Sequence, residues 1–253
     1  MYRPRLIPCL LLDGKRLVKT IQFSNSSYVG DPINTVKIFN EKEVDELIVL
    51  DIQASKNGNE PNFEMVAQLA SECFMPICYG GGIRSLEDAE RLIASGVEKI
   101  ALNTAALQRP ALVGEIARRY GSQSVVVGID VSYKWWRGYR VLNSGKRKIT
   151  SWAPADWAKR IAEEGAGEIL LNSVDRDGTM KGYDSMLIQA VAKSVSIPVI
   201  ACGGASDLND CKKIIRETRA SAVAAGALFV YKGPHRAVLI NYPNPIQLQE
   251  LFA

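Results

Sequence analysis

Histidine is nearly absent: His235 is the single one in 253 residues. Chemistry resting on a histidine base or on imidazole metal ligands therefore has little to draw on. The five cysteines (Cys9, Cys73, Cys78, Cys202, Cys211) are odd in number, sit mostly among apolar neighbours and form no C-x-x-C pair. That pattern argues against a zinc site or a disulfide framework and suits buried thiols in a reducing cytoplasm. No metal or other cofactor is expected. Long apolar runs are missing as well. The longest, Ala222 to Tyr231, has a glycine inside it and falls far short of the ~20 residues a membrane helix needs. The opening "MYRPRLIPCLLL" faintly echoes a secretory signal, but Asp13 and Gly14 interrupt it and no small-residue cleavage site follows, so it reads as a strand.

Acidic residues are missing from one stretch. Residues 131–150 hold Lys134, Arg137, Arg140, Lys146, Arg147 and Lys148 with no acid, while the whole chain carries a net charge of only +4. The rest is therefore net negative. Such a segment is either a solvated hairpin or a lid over an anionic substrate. No nucleic-acid partner is expected; strong salt-dependent binding to generic DNA or RNA through this Trp/Arg/Lys hairpin would revive that reading.

What is present is regular. Short β-branched runs recur at Arg5–Leu11, Glu46–Asp51, Ile77–Tyr79, Lys99–Leu102, Ser124–Asp130, Glu168–Asn172, Val199–Ala201 and Ala222–Ala224. Between them lie stretches with 3.6-residue periodicity, such as "EDAERLIASGV" and "ADWAKRIAEEGA". The strand runs lack strict alternation, as parallel strands buried on both faces should. Eight such units in about 250 residues predict a (β/α)8 barrel.

Internal repetition supports the barrel. "ELIVLDI" aligns with "EILLNSV", "YGGGIRS" with "ACGGASD" and "KIALNTA" with "SAVAAGA", always 122 residues apart. A constant offset implies two four-strand halves, about 1–120 and 121–253. No linker-like stretch separates them, so one barrel domain over residues 1–253 is expected.

Function in such barrels gathers at the C-terminal ends of the strands. Four of these ends carry small residues suited to letting an anion approach backbone N–H groups: Gly81-Gly82, Asn103-Thr104, Gly203-Gly204 and Ala225-Gly226. The bland alternative is that these glycines only make tight turns. Read as cradles, they predict two phosphate sites on opposite sides of the mouth, hence a long small-molecule substrate with a phosphate at each end. Between them lie carboxylates: Asp51 after strand 2, Asp130 after strand 5, Asp175 and Asp177 after strand 6. Without histidine these are the candidates for proton transfer. Asp175 and Asp177 could instead cap a turn. Asp130 closes "VVVGID" and should face the mouth. Lys19 falls in a predicted loop leading into the polar run Thr20–Pro32, which reads as a mobile lid; the lysine itself reads first as a solvated surface residue. At the other end Arg5, Glu46, Lys99 and Glu168 each open a strand, where alternating signs could close a salt-bridged ring on the barrel floor or leave a solvated rim.

Taken together, "RLIPCLLLDGKRLVK", "VGDPI", "DELIVLDI", "GGGIRSLEDAERLIASGVEKIALNTAA", "GSQSVVVGID", "GAGEILLNSVDRDGTMKGYD" and "PVIACGGA" resemble the HisF family, the cyclase subunits of imidazole glycerol phosphate synthase. The likeness covers almost the whole chain. It implies a half-repeat barrel that pairs with a glutaminase subunit, HisH, and takes glutamine-derived ammonia through the floor to a substrate phosphorylated at both ends. It further implies an ammonia gate at Arg5, Glu46, Lys99 and Glu168. Phosphate-site positions fall at Gly82, Asn103, Thr104, Asp177, Gly178, Gly204, Ala225 and Gly226. Lys19 matches the family's loop lysine and Asp130 one of two catalytic aspartates; Asp51 stays a candidate on its position alone.

The second catalytic aspartate of that family ends strand 1, and Leu11 stands there. The repeat says the same independently, since "LIPCLLL" overlays "VVVGIDV" at an offset of 119 and sets Leu11 against Asp130. A leucine cannot transfer a proton. Asp13 lies past the strand end and would need another loop path to reach the same point. Asn172 stands where the family usually has a hydroxyl residue, and "YKGPHRAVLINYP" departs from its usual ending. This pattern resembles the HisF-like paralogues of bacterial surface-polysaccharide (lipopolysaccharide) pathways. It implies an ammonia-accepting subunit that works with a HisH-like glutaminase and a separate sugar amidotransferase. Two alternatives remain: a working cyclase in which Asp13, Asp51 or Asp177 assists Asp130, and a non-catalytic ammonia conduit.

Overall fold

A computed structural model describes residues 3–233 and 235–252. Eight parallel strands form a closed barrel: β1 (Arg5–Asp13), β2 (Leu47–Asp51), β3 (Ile77–Gly80), β4 (Lys99–Leu102), β5 (Val125–Lys134), β6 (Glu168–Ser173), β7 (Val199–Cys202) and β8 (Ala222–Ala225). Each pairs with the next, and β8 pairs back onto β1, with Arg5 opposite Ala222 and Pro8 opposite Ala225. This is the expected (β/α)8 barrel. Among the described residues no helix is long and apolar enough to cross a membrane.

Alternation along each strand divides the apolar residues between two cores. Ile7, Cys9, Ile48, Cys78, Val126 and Leu170 belong to the cluster inside the barrel. Leu6, Leu10, Leu12, Val49, Val127 and Leu171 belong to the larger one between sheet and helices. The leucine run of β1 is therefore not one thing. Leu10 and Leu12 pack outward on helices, while Leu11 keeps the inward phase of Ile7 and Cys9 and reaches the mouth.

The half-repeat is written into the helix starts. Ser85 caps the helix Leu86–Ala94 by accepting the Asp88 N–H, and Asp88 accepts the Arg84 N–H at 2.8 Å. In the other half Asp207 caps Leu208–Glu217 through the Asp210 N–H, and Asp210 accepts the Ser206 N–H at 3.0 Å. The same hydrogen bonds recur 122 residues apart. Each cap contributes about 1 kcal/mol, and each fixes the turn that carries a Gly-Gly pair.

Two hairpins rise from the mouth. The polar run Thr20–Pro32 supplies the strand Ser24–Gly30, which pairs with Arg16–Ile21, itself hydrogen-bonded antiparallel to the end of β1. Pairing of Leu11 with Val18 and Asp13 with Arg16 carries β1 two residues past its expected end. β5 likewise overruns Asp130 to Lys134 and pairs with Gly138–Asn143, which pairs with Lys148–Ile149. This second hairpin holds the basic stretch.

Candidate active site at the barrel mouth

Asp130 sits on the inward face of β5, in the phase of Val126 and Gly128, and lines the cavity at the mouth. Its Oδ2 accepts hydrogen bonds from Asn103 Nδ2 at 2.8 Å and from the Ser144 hydroxyl. Burial pushes its carboxyl from 3.8 up to about 6; the Ser144 and Asn103 hydrogen bonds oppose the rise, Asp177 adds to it, and Asn172 opposes it. Desolvation of the charged form wins. The result is a carboxyl that holds and releases a proton near neutral pH, as general acid–base chemistry requires.

Lys19 lies in strand Arg16–Ile21 rather than in a loop, and only 7% of it is exposed. The loop and surface readings both fail because pairing with β1 orders the segment and turns Lys19 inward. Its Nζ meets Asp177 Oδ1 at 2.8 Å, and Thr20 Oγ1 reaches Asp177 Oδ2 at 3.3 Å. The next residue, Gly178, has φ +69°, and a Cβ there would stand 2.1 Å from the Thr20 carbonyl oxygen. Only glycine lets the hairpin close on the β6 loop this way.

The remaining carboxylates do quieter work. Asp51 lines the cavity, but its Oδ1 accepts the Gln53 and Ala54 N–H groups, both at 2.9 Å, and so caps the turn after β2. Asp175 accepts the Ser132 hydroxyl at 3.1 Å and the Tyr133 N–H at 2.6 Å, pinning the base of the basic hairpin. Asp13 does not line the cavity; Leu11, 9% exposed, does.

On opposite sides of the mouth, Gly82 with Asn103 and Thr104, and Gly204 with Ala225 and Gly226, line the same cavity. Gly81, Gly82, Gly203 and Gly204 all have positive φ. At Gly204 a Cβ would stand 2.3 Å from the Gly182 carbonyl oxygen, so tight packing and an open cradle are served by one residue. Short helices Thr104–Gln108 and Ala227–Val230 begin here, neither closed by a capping side chain. The Asn103 side chain turns to Asp130.

At the floor the four strand-opening charges meet. Lys99 Nζ lies 2.9 Å from Glu46 Oε2 and 3.0 Å from Glu168 Oε2, and Arg5 bridges the same two carboxylates. Glu46 and Glu168 are buried. Desolvation works to lower the Arg5 and Lys99 pKa values, but the two glutamates outweigh it and raise both. Both cations stay charged. Between floor and mouth the interior is lined by uncharged side chains, including Cys9, Cys78 and Ala224. Cys78 is kept protonated chiefly by burial, and Cys202 by a hydrogen bond with Cys9 and by burial.

Sequence reasoning missed Ser144, which approaches Asp130 only because β5 doubles back through the second hairpin. It also missed Thr20 and Phe23, which line the mouth once the first hairpin folds over it.

The profile of the histidine biosynthesis protein family matches residues 5–234. A Pseudomonas aeruginosa protein named "Putative imidazole glycerol phosphate synthase subunit hisF2" is 54% identical over 244 residues, spanning 96% of this chain and 97% of the relative. A Leptospira borgpetersenii protein named "Putative imidazole glycerol phosphate synthase subunit HisF" is 51% identical over the full length of both chains. The "Imidazole glycerol phosphate synthase subunit HisF" of Streptomyces griseus is 44% identical over 225 residues, 89% of each chain.

Proposed function

The chain belongs to the histidine biosynthesis protein family, in its HisF branch, and from that premise we propose that it is the ammonia-accepting synthase subunit of a glutamine amidotransferase complex. A HisH-like glutaminase docks at the floor and releases ammonia there. The ring of Arg5, Glu46, Lys99 and Glu168 is the gate. Beyond it, the apolar interior passes neutral ammonia and rejects ammonium, because burying an unpaired cation costs several kcal/mol.

At the mouth, Gly82, Asn103 and Thr104 hold one phosphate end of the substrate, and Gly204, Ala225 and Gly226 the other, by backbone N–H groups. Lys19 and the Asp177-Gly178 turn close the hairpin over the bound substrate. Asp130, whose carboxyl is raised to about 6, moves the proton at the reacting centre, with Asp51 a further carboxylate lining the cavity.

The single observation that carries the specialised reading is Leu11. It faces the mouth in the phase that Asp130 holds on β5, where an acid–base pair needs its second member. Losing one partner of such a pair costs about 10²–10⁴ in rate. We therefore assign the protein to amidation of an acetamido sugar on a surface-polysaccharide pathway, in company with a sugar amidotransferase, rather than to histidine biosynthesis. Capture of the protein from its native cells tests this. A HisH-like glutaminase together with a sugar-modifying enzyme is the expected catch, and a glutaminase with histidine-pathway enzymes would overturn it. The conduit reading makes a different forecast: Asp130→Asn would leave product formation by the full complex untouched, whereas the present reading expects its loss.

A further inference from the structure

Beside the mouth lies a second cavity of about 370 Å³, walled by the two hairpins and the turn after β2. Three cations line it: Lys56, Lys134 and Arg147. None of them makes an ion pair or side-chain hydrogen bond among the described residues, in contrast to Lys19 in the neighbouring mouth, which is matched to Asp177. One acid lies among the described lining residues, Asp175, whose carboxylate is held by hydrogen bonds from the Ser132 hydroxyl and the Tyr133 N–H. The Lys56 pKa is lowered, first by desolvation and then by the charge of Arg147, with Asp13 opposing. Three cations thus share the wall of an open space with a single carboxylate, Asp175, which forms no ion pair with any of them.

The backbone on both walls is strained. Gln22 and Phe23 form the tip of the first hairpin with φ +51° and +60°, and Arg147 opposite has φ +50°. None is glycine, and each such residue costs about 1–2 kcal/mol. Phe23, Lys56 and Ser144 line both cavities, so the second space continues from the first, and Ser144 joins it to Asp130.

We propose that this cavity is a third anion subsite, separate from the two glycine cradles, and that it takes a phosphoryl or carboxylate group borne by whatever occupies the mouth. Lys56 and Arg147 clamp the anion from either side, Lys134 closes the rim, and Phe23 covers the atoms that link it to the reacting end. The substrate of this protein then carries more negative charge than one filling the two cradles alone, and extends outward between the hairpins.

Titration of the full-length, ¹⁵N-labelled protein at constant ionic strength with inorganic phosphate, inorganic pyrophosphate and malonate tests this. Saturable shifts are expected at the Ser24 and Arg147 amides and at the Arg147 side-chain N–H, apart from any at Gly82, Gly204 and Gly226. A lower midpoint for phosphate or pyrophosphate assigns a phosphoryl group, and a lower one for malonate a carboxylate. In the Lys56→Gln/Arg147→Gln variant binding read at the Ser24 amide should weaken about a hundredfold, roughly tenfold per charged contact, while the glycine set keeps its midpoint. The charge-preserving Lys56→Arg/Arg147→Lys variant should regain most of the binding, which a merely misfolded rim would not. No saturable shift at Ser24 and Arg147 with any of the three anions, or an unchanged midpoint in the charge-removed variant, overturns the proposal. Shifts at Arg147 without shifts at the glycines would leave this subsite standing and remove the two-cradle reading instead.

Discussion

The Asp130 carboxyl gives the account a quantity to test. In the unfolded chain it titrates near 3.8; in the barrel, burial holds it at about 6. A difference of about two units corresponds to about 3 kcal/mol between the protonated and charged forms. Because the folded state binds this proton more tightly, its contribution to stability is fully present below 3.8 and is lost as pH rises through 6. Between pH 5 and pH 8 roughly half of the total, about 1–2 kcal/mol, should disappear. Asp130→Asn removes the titration while leaving an oxygen to accept from Asn103 and Ser144. Urea unfolding of both proteins at pH 5 and pH 8 isolates the effect, since all other titrating groups are common to the pair. The variant should gain about 1–2 kcal/mol on the wild type between the two pH values. A difference that stays constant with pH, or grows in favour of the wild type, refutes the desolvation argument.

Three further outcomes follow from the same geometry. Ser144→Ala removes a hydrogen bond to the charged form, so the Asp130 midpoint, read from its carboxyl ¹³C shift, should move up by about one unit; a downward move contradicts the assigned contact. Lys99→Met leaves Glu46 and Glu168 sharing Arg5 alone, and should cost about 2–3 kcal/mol in urea unfolding, the lower end for a broken buried pair because Lys99 is partly exposed. No loss there would mean the ring is a solvated rim. Gly178→Ala forces a Cβ against the Thr20 carbonyl at a left-handed position, so hydrogen exchange should quicken across 16–30 while β3 and β4 keep their protection; unchanged exchange would show that the hairpin is not held by that turn.

The barrel was legible because burial on both faces writes unbroken apolar runs, and because the Gly-Gly ends and the glutamates that open β2 and β6 recur at one offset. The four charges of the floor could be picked out since each opens a strand, and strand starts share one end of a parallel barrel. The first hairpin was not legible. Ser24–Gly30 is polar and reads as loop by composition, yet its partner Arg16–Ile21 is ordered by the free edge that β1 offers beyond Leu11. That pairing is what turned Lys19 from a surface residue into the buried partner of Asp177. Ser144 escaped for a similar reason: only the antiparallel return from β5 brings "NSGK" back over Asp130. Leu11 was readable as the residue out of place in the repeat, while its being the one leucine of its run that faces inward emerged only with the barrel.

The most direct test is therefore turnover of the doubly phosphorylated histidine-pathway substrate with ammonium salt, by the wild type and by Leu11→Asp. The account predicts negligible cyclisation by the wild type and a gain of about 10²–10⁴-fold on restoring the second carboxylate opposite Asp130. Wild-type turnover matching that of an ordinary cyclase, unchanged or lowered by Leu11→Asp, would contradict it.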